Sequence, residues 1–363
     1  MKLVDNVIYD AIPPTPLPKI FRHIAVVATN SVGMKETGFG DLEACRAFFQ
    51  VLRSKYQCVS FHLIETEACL TWVVDEKPDL VVLCSKYVED DATNTKIWFS
   101  QYFADRQIAF TGSDRATLEF DTNKSKAKTL LINKGIATAK FFLAIPEQIC
   151  RETDLPFALP VFIKPLNAAN GNGIDEDSIA RDFAGYEAKV GALFDAYGAA
   201  VLVEEVLPGR EFTVAIFDDV RDNSPLIMPV EIIPPQNSKG DRVLGSIEKT
   251  NNRELLKVLR EPLLSSVSAL AGRAFAALGA RDFGRIDIKL DGLGNPNFLE
   301  ANLVPGMTPH SSYFPRACAM SVGSDMIRRT DSTPVISQAM TYDDVVLKIA
   351  DMSLARENAD LSQ

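Results

Sequence analysis

Residues 79–85 read DLVVLCS, and the run LVVL offers no polar face, so a chain containing it must cover that segment on both sides. Strands of this kind belong to parallel sheets packed between helices. The neighbouring segments agree. HIAVVATN (23–30) is a short run rich in β-branched residues that ends in polar turn residues, and CVSFHLI forms a second strand candidate. Between them, residues 41–55 carry Leu42, Cys45, Phe48, Phe49 and Leu52 at helical spacing, and Glu67–Glu76 is predicted as a second helix. This β-α-β-α-β order over the first 110 residues predicts an α/β lobe built on a small parallel sheet.

The texture then changes. SDRATLEFDTNKSKAK (113–128) is a polar stretch leading into a helix predicted near 122–134, stopped by Gly135. FFLAI, LPVFIKP, AAVLVEEVLPG, REFTVAIFDD and PLIMPVEII are short apolar segments punctuated by Pro and Gly, which predicts a mixed or antiparallel sheet. A long helix is expected over 253–278, broken near Pro262 and closed by Gly279, and a last one over about 342–355. At 363 residues the chain has room for two or three such units.

Several function classes drop out. A formal net charge of −10 leaves no basic footprint for nucleic acid or anionic lipid. No apolar stretch approaches the ~18 residues of a membrane span. The first 20 residues, broken by Asp5, Asn6, Asp10 and four prolines, read as an N-terminal arm rather than a signal peptide. Six scattered cysteines without a CxxC pair read as thiols of a reducing cytoplasm, and His23, His62 and His310 are too far apart in sequence to suggest a zinc site.

Chemistry concentrates in GRIDIKLDGLGNPNFLEAN (284–302). Arg285 and Asp287 share a strand face by period-two alternation, as do Glu300 and Asn302. If the strands pair through the DGLGN turn, three oxygen-bearing side chains converge beside an arginine. Magnesium prefers a few such oxygens and completes its shell with substrate phosphates. The following loop, LVPGMTPHSS, adds a Pro305-Gly306 step that admits a close ligand, and the hydroxyls of Ser311 and Ser312. Lys164 closes the apolar strand of LPVFIKP and calls for an anionic partner. The Asn/Gly loop behind it either presents backbone N–H groups to phosphate or is a plain hairpin turn. Lys124, Lys126 and Lys128 are either a further basic cluster or a solvated helix face. In VLVEEVLPGREFTV, Glu204 can accept from an amine such as an adenine amino group, and Glu205–Leu207 offers backbone to the ring edge. Glu211 can accept from ribose hydroxyls.

FIKP, VEEVLPGREFTVAI and GRIDIKLDGLGNPNFLEANLVPGMTPHSS, in this order, resemble the ATP-grasp superfamily and, within it, the D-alanine–D-alanine ligases. The resemblance covers roughly residues 120–320. It implies a three-lobed α/β fold gripping ATP between two sheets. The expected divisions are the arm at 1–20, a parallel-sheet lobe at 21–120, a small lobe at 121–210 and a C-terminal lobe at 211–363. It implies an ATP-dependent ligase that phosphorylates a carboxylate and lets an amine attack the acyl phosphate, with ATP and two magnesium ions (manganese the alternative) as cofactors and small-molecule acids and amines as partners. A homodimer is expected by the same analogy.

Residue by residue, the resemblance makes Lys124 and Lys164 the phosphate lysines, Glu204, Glu205 and Leu207 the adenine contacts, and Glu211 the ribose acceptor. Asp287, Glu300 and Asn302 become the metal ligands, Arg285 and the Gly306 N–H the oxyanion donors, and Ser311 and Ser312 the seat of the second substrate's carboxylate. Lys249, with Lys239 and Arg242 as alternatives, would reach the γ-phosphate from a lid at 235–252. Departures are equally definite. Ala168-Ala-Asn-Gly-Asn-Gly replaces the family's Glu-Gly-Ser-Ser-x-Gly, with Asn170 at the substrate-orienting serine, and the lid has no tyrosine. ATNSVGMKET leaves Glu36 as the substitute for the glutamate that holds the first substrate's amine, and the family's His-Gly turn is missing around CSKYVEDD. Groups serving ATP, metal and acyl transfer survive while those fitted to D-alanine do not, so the expected activity is ligation of other amino acids or related molecules. True D-alanine–D-alanine ligation and an inactive ATP-binding sensor are the alternatives. Asp287→Asn and Glu300→Gln are both expected to abolish turnover with the fold intact.

Overall fold

The computed structural model describes residues 7–8, 20–29, 38–90, 95–168, 171–245, 253–320 and 339–360. The expected Glu36, Asn170 and Lys249 lie outside the described residues. In chain order the strands of the first lobe are β1 (Val7–Ile8), β2 (Ile20–Ala28), β3 (Tyr56–Leu63) and β4 (Leu80–Leu83), interleaved with α1 (Leu42–Lys55) and α2 (Glu67–Asp75). The sheet order is β1-β3-β2-β4. β2 is parallel to both β3 and β4, and β1 adds an antiparallel edge.

Both faces of β2 and β4 are buried, and period two divides them between two cores. Ile24, Val26, Ala28, Leu80 and Val82 face α1 with its Phe48, Phe49 and Leu52. Ala25, Val27, Val81 and Leu83 face α2 and α3 (Phe99–Ala104). A short hairpin of β5 (Tyr87–Asp90) and β6 (Thr95–Trp98) follows β4.

The helix expected near 122–134 is present from Lys124 to Asn133, and the polar stretch ahead of it forms a second one. Asp114 caps α4 (Arg115–Thr122) by accepting from Thr117 N, and Asn123 caps α5 (Lys124–Asn133) by accepting from Lys126 N. With Asn123 extended (φ −130°, ψ 92°) and its side chain satisfying a first-turn donor, the chain bends and restarts. The bend sets Lys124 in the first turn of α5. Lys128, four residues on, shares its face, while Lys126 points outward to Glu119.

The second sheet, β7-β10-β8-β9, comprises β7 (Phe141–Ala144), β8 (Val161–Pro165), β9 (Ile179–Ala180) and β10 (Val201–Glu205), all antiparallel. It is backed by α6 (Phe183–Tyr197), which Asp182 caps and Gly198 ends in the left-handed region at φ 62°. The third sheet, β13-β12-β11-β14-β15, is also antiparallel. Its strands are β11 (Glu211–Asp218), β12 (Leu226–Ile233), β13 (Leu255–Val258), β14 (Asp282–Leu290) and β15 (Pro296–Asn302). α7 (Leu263–Ala277), α8 (Tyr313–Met320) and α9 (Tyr342–Asp360) are the remaining described α-helices. The helix expected from 253 starts only at Leu263. Residues 255–258 pair with β12 as an edge strand, and Pro262, lacking an N–H, sits just ahead of the helix. Among the described residues no helix is long and apolar enough to cross a membrane.

Asp282 joins the first lobe, the third sheet and the last helix. It is 2% exposed and sits at φ 61°; it accepts from Gly112 N (2.8 Å), Ser353 Oγ (2.8 Å) and Arg356 Nε (2.8 Å). Asp282→Ala removes the carboxylate from a buried arginine, so unfolding free energy is expected to fall by about 3–5 kcal/mol in chemical denaturation.

Candidate functional site

The chain crosses from the second sheet to the third through Val206–Pro208, and the two sheets face each other across a cavity of about 410 Å³ at this crossing. Gly209 makes the close crossing feasible. Its N–H donates to Leu290 O at 3.0 Å, and a Cβ there would lie 2.6 Å from Leu290 Cβ and 2.7 Å from its carbonyl oxygen. Lys164, Glu204, Glu205, Leu207, Glu211, Asp287 and Glu300 all line the cavity. The volume falls within the range of small-molecule sites.

Two of these lining residues, Lys164 and Glu204, are buried and form a charged cluster with the buried Lys128. Glu204 Oε2 receives Lys164 Nζ at 2.8 Å, and Oε1 lies 2.6 Å from Lys128 Nζ. Lys128, 0% exposed, also donates to Thr138 Oγ1 at 2.6 Å. Burial would raise the Glu204 carboxyl, but the two ammoniums outweigh it and the net shift is downward. Burial pulls Lys164 down, yet Glu204, Glu300 and Glu211 carry it above its ordinary value, so it stays an ammonium. Lys128 moves the other way, lowered first by burial and further by Lys164. Both Glu204 oxygens thus face lysines. Glu205, alternate to it on β10, points outward to Lys140 at 3.8 Å. Glu211, the expected ribose acceptor, receives Lys289 Nζ at 2.9 Å from the strand opposite.

The hairpin of β14 and β15 brings its four expected residues to one face. Arg285 stands opposite Asn302 and Asp287 opposite Glu300, whereas Ile288 stands opposite Phe298. Leu299 is therefore an extra residue, a bulge. Without it, strict alternation would put Phe298 and Glu300 on the same face. With it, Phe298 goes to the core at 0% exposure and Glu300 joins Asp287 at the cavity.

Arg285 clasps Asp287 through Nε (3.0 Å) and Nη2 (2.9 Å), and Thr213 Oγ1 (2.7 Å) and Asn302 Nδ2 (3.2 Å) also donate to it. Burial lowers Arg285, but Asp287 more than compensates, and the guanidinium is held above its ordinary value. Lys124 Nζ donates to Ala168 O at 2.6 Å and lies 3.7 Å from Glu300. A second, much smaller cavity is lined by Lys86, Asp121, Lys124, Asn167, Glu300 and Asn302, among others.

Two carboxylates and an amide are the hard oxygen donors a magnesium ion takes when phosphate oxygens complete its shell. Among the described residues no set of three or more His, Cys, Asp or Glu side chains is arranged to hold a metal by itself. The donors present therefore suit a cation delivered with an anionic ligand.

Other expected residues are placed differently. Ser312 Oγ accepts from Thr308 N at 2.9 Å and closes the turn ahead of α8, and a Cβ on Gly306 would lie 2.8 Å from that oxygen. Gly306, Ser311 and Ser312 border neither cavity. Of the lid cations, Lys239 pairs with Asp177 at 2.6 Å, while Arg242 lines the large cavity and donates to Pro234 O. Residues 236–244 bridge from the third sheet to the second, where Arg181 meets Asp241 at 2.7 Å. The thiols of Cys45, Cys69, Cys84 and Cys318 are buried as expected, whereas Cys58 and Cys150 are exposed. Lys86, Asp121 and Thr213 carry no expectation from the sequence, and Lys128 is named there only within the basic cluster of Lys124 and Lys126. Lys86 carried a usable signal, since it follows the apolar run LVVL much as Lys164 ends its own strand.

Two antiparallel sheets closing on a cleft lined by charges of both signs, beside a parallel-sheet lobe, define the ATP-grasp architecture. The D-ala D-ala ligase C-terminus family matches residues 130–327, more than half of the chain. The chain belongs to that family. It is 30% identical over 210 residues to the D-alanine–D-alanine ligase of Saccharophagus degradans, covering 56% of this chain and 62% of that protein. Against the enzyme of the same name from Acinetobacter baumannii it is 31% identical over 214 residues, covering 56% and 64%. The chain thus spans under two thirds of the length of the curated relatives it matches. The crystal structure of D-alanine–D-alanine ligase from Bacillus anthracis complexed with ATP superposes with a TM-score of 0.66 at 16% identity, covering 93% of this chain and 99% of that one.

Proposed function

We propose that the chain is an ATP-dependent carboxylate–amine ligase acting on amino acids or related small molecules through an acyl phosphate. One observation carries the reading: the buried ammoniums of Lys124 and Lys164 meet the oxygen set of Asp287, Glu300 and Asn302 across two cavities that share Glu300. Lys124 and Lys164 would hold phosphate oxygens, Glu205–Leu207 an adenine edge and Glu211 a ribose. Asp287, Glu300 and Asn302 would hold magnesium, which supplies charge neutralisation at the transferring phosphoryl group. The names of the curated relatives and the ATP of the Bacillus anthracis structure support the same assignment.

A carboxylate is a poor electrophile until a phosphoryl group turns one of its oxygens into a leaving group. The amine then attacks, and the oxyanion that forms needs preorganised donors. Arg285 is held rigidly enough for that role by its two bonds to Asp287, with the Gly306 N–H as its companion. Residues 236–244 roof the cavity and would keep water from the activated acid. Ser311 and Ser312 are proposed for the second substrate's carboxylate, Glu36 and Asn170 for the first substrate, and Lys249 for the γ-phosphate. The lobe divisions at 20, 120 and 210, a homodimer and a cytoplasmic setting belong to the same reading.

The replaced loop at 168–173 and the tyrosine-free lid favour substrates other than D-alanine. Assaying ADP release over paired acids and amines, D-alanine included, tests this. ADP is expected only when acid and amine are both present, with D-alanine a poor pair. Efficient D-alanine turnover would make the chain a D-alanine–D-alanine ligase, and nucleotide binding without turnover on any pair would make it a sensor.

A further inference from the structure

The backbone between Leu303 and Met307, which carries Gly306, is tied at both ends to one turn of the first lobe. That turn, Cys84–Lys86, follows β4. At the near end, Lys86 Nζ donates to Asp121 Oδ1 at 2.8 Å, and Asp121 Oδ2 accepts from Leu303 N at 2.6 Å and, more weakly, from Val304 N at 3.4 Å. The two side chains are only 4% and 6% exposed. At the far end, Met307 N donates to Phe39 O at 2.6 Å and Phe39 N donates to Cys84 O at 2.8 Å. The packing there is tight, since a Cβ on Gly38 would lie 2.0 Å from Cys84 O.

We infer that Lys86 and Asp121 are positioning residues for the proposed ligase. The pair clamps the Leu303–Met307 segment to the first lobe and thereby fixes the backbone that carries Gly306. This role is exercised through the Leu303–Met307 backbone, although both side chains also line the smaller cavity, and it rests on the proposed function only for its catalytic consequence. The chemistry of the clamp is specific to a carboxylate. Asp121 stands between donor-only groups, an ammonium on one side and backbone N–H groups on the other, so it must accept on both oxygens. Asparagine has one accepting oxygen, and its NH₂ would face a donor whichever way it turned.

Two readouts separate the clamp from the reaction. In amide hydrogen exchange without nucleotide, Asp121→Asn and Lys86→Met are expected to raise exchange across 303–307 by about tenfold or more over wild type, with the third-sheet strands unchanged. In turnover, kcat is expected to fall about 10- to 100-fold, as for a donor displaced by ~1 Å, with KM for ATP within about threefold. Lys86→Arg, which keeps the ion pair, is expected to restore both. Wild-type exchange across 303–307 in both variants would overturn the clamp. Faster exchange there with unaltered kcat would overturn its positioning role. Were Asp121→Asn to unfold, Lys86→Met and Lys86→Arg decide the same questions. If the wild-type protein turned over no acid and amine pair, the proposed function would fail while the exchange measurement still decided the clamp.

Discussion

Glu204→Gln is expected to destabilise the protein by about 3–5 kcal/mol, the range for removing a partner from a buried ion pair. The substitution changes almost no volume, but it leaves Lys128 and Lys164 adjacent in a region where they are 0% and 4% exposed, with no carboxylate between them. Adding Lys128→Met should recover part of the loss, because an apolar residue of similar length leaves no second cation to be neutralised. The shortfall from additivity in denaturant titrations of the single and double variants measures the coupling. The pH dependence has a definite sign. Glu204 is depressed below its ordinary 4.5, so its contribution is complete above that pH and lost as pH falls through the lower folded value. Lys164 is raised above its ordinary 10.5, so its contribution is complete below that pH and lost as pH rises through the folded value. Lys128, depressed by burial, opposes folding below 10.5. Glu204→Gln should therefore flatten the acid limb of a plot of stability against pH, and an unchanged limb would remove Glu204 from its place between the lysines.

Glu300→Gln is expected to reduce turnover by at least about 10²–10³-fold while altering stability by less than about 1 kcal/mol. Its side chain is 21% exposed, and its ammonium neighbour Lys124 is 3.7 Å away and also bonded to Ala168 O. Asp287→Asn is a poorer test of the same site. Asp287 accepts two bonds from the buried Arg285, so its neutralisation should destabilise the hairpin as well as remove a metal ligand. Sparing of the fold is therefore expected for Glu300→Gln alone. Turnover by Glu300→Gln at the wild-type rate, at saturating magnesium, would remove the metal assignment.

Local alternation made the outline of this site legible. Apolar periodicity in LVVL and HIAVV implied a sheet buried on both faces, and alternation in GRIDI and FLEAN put Arg285 with Asp287 and Glu300 with Asn302. What stayed hidden depends on contacts distant in sequence. The bulge at Leu299 is visible only once Phe298 is seen to need the core. Lys128 looks like Lys126 in sequence, and only the bend at Asn123 together with Glu204, 76 positions away, separates a buried cation from a solvated one. Residues 255–258 looked helical because an edge strand with one open face has little pattern of its own, and pairing with β12 decides the matter. His23 and His62, far apart in the chain, lie on adjacent parallel strands, and both reach Glu76. Nothing in FDTNK reports that the Asp121 carboxylate reaches Leu303.

The proposed chemistry makes one atom traceable. When an acid with ¹⁸O in its carboxylate is converted to amide, phosphorylation of a carboxylate oxygen followed by amine attack at carbon leaves that oxygen in the released phosphate. Mass spectrometry of the phosphate from a single acid and amine pair should find one labelled oxygen for each amide bond formed. Unlabelled phosphate, with both labelled oxygens still in the acid while ADP accumulates, would contradict activation of the carboxylate in this cleft.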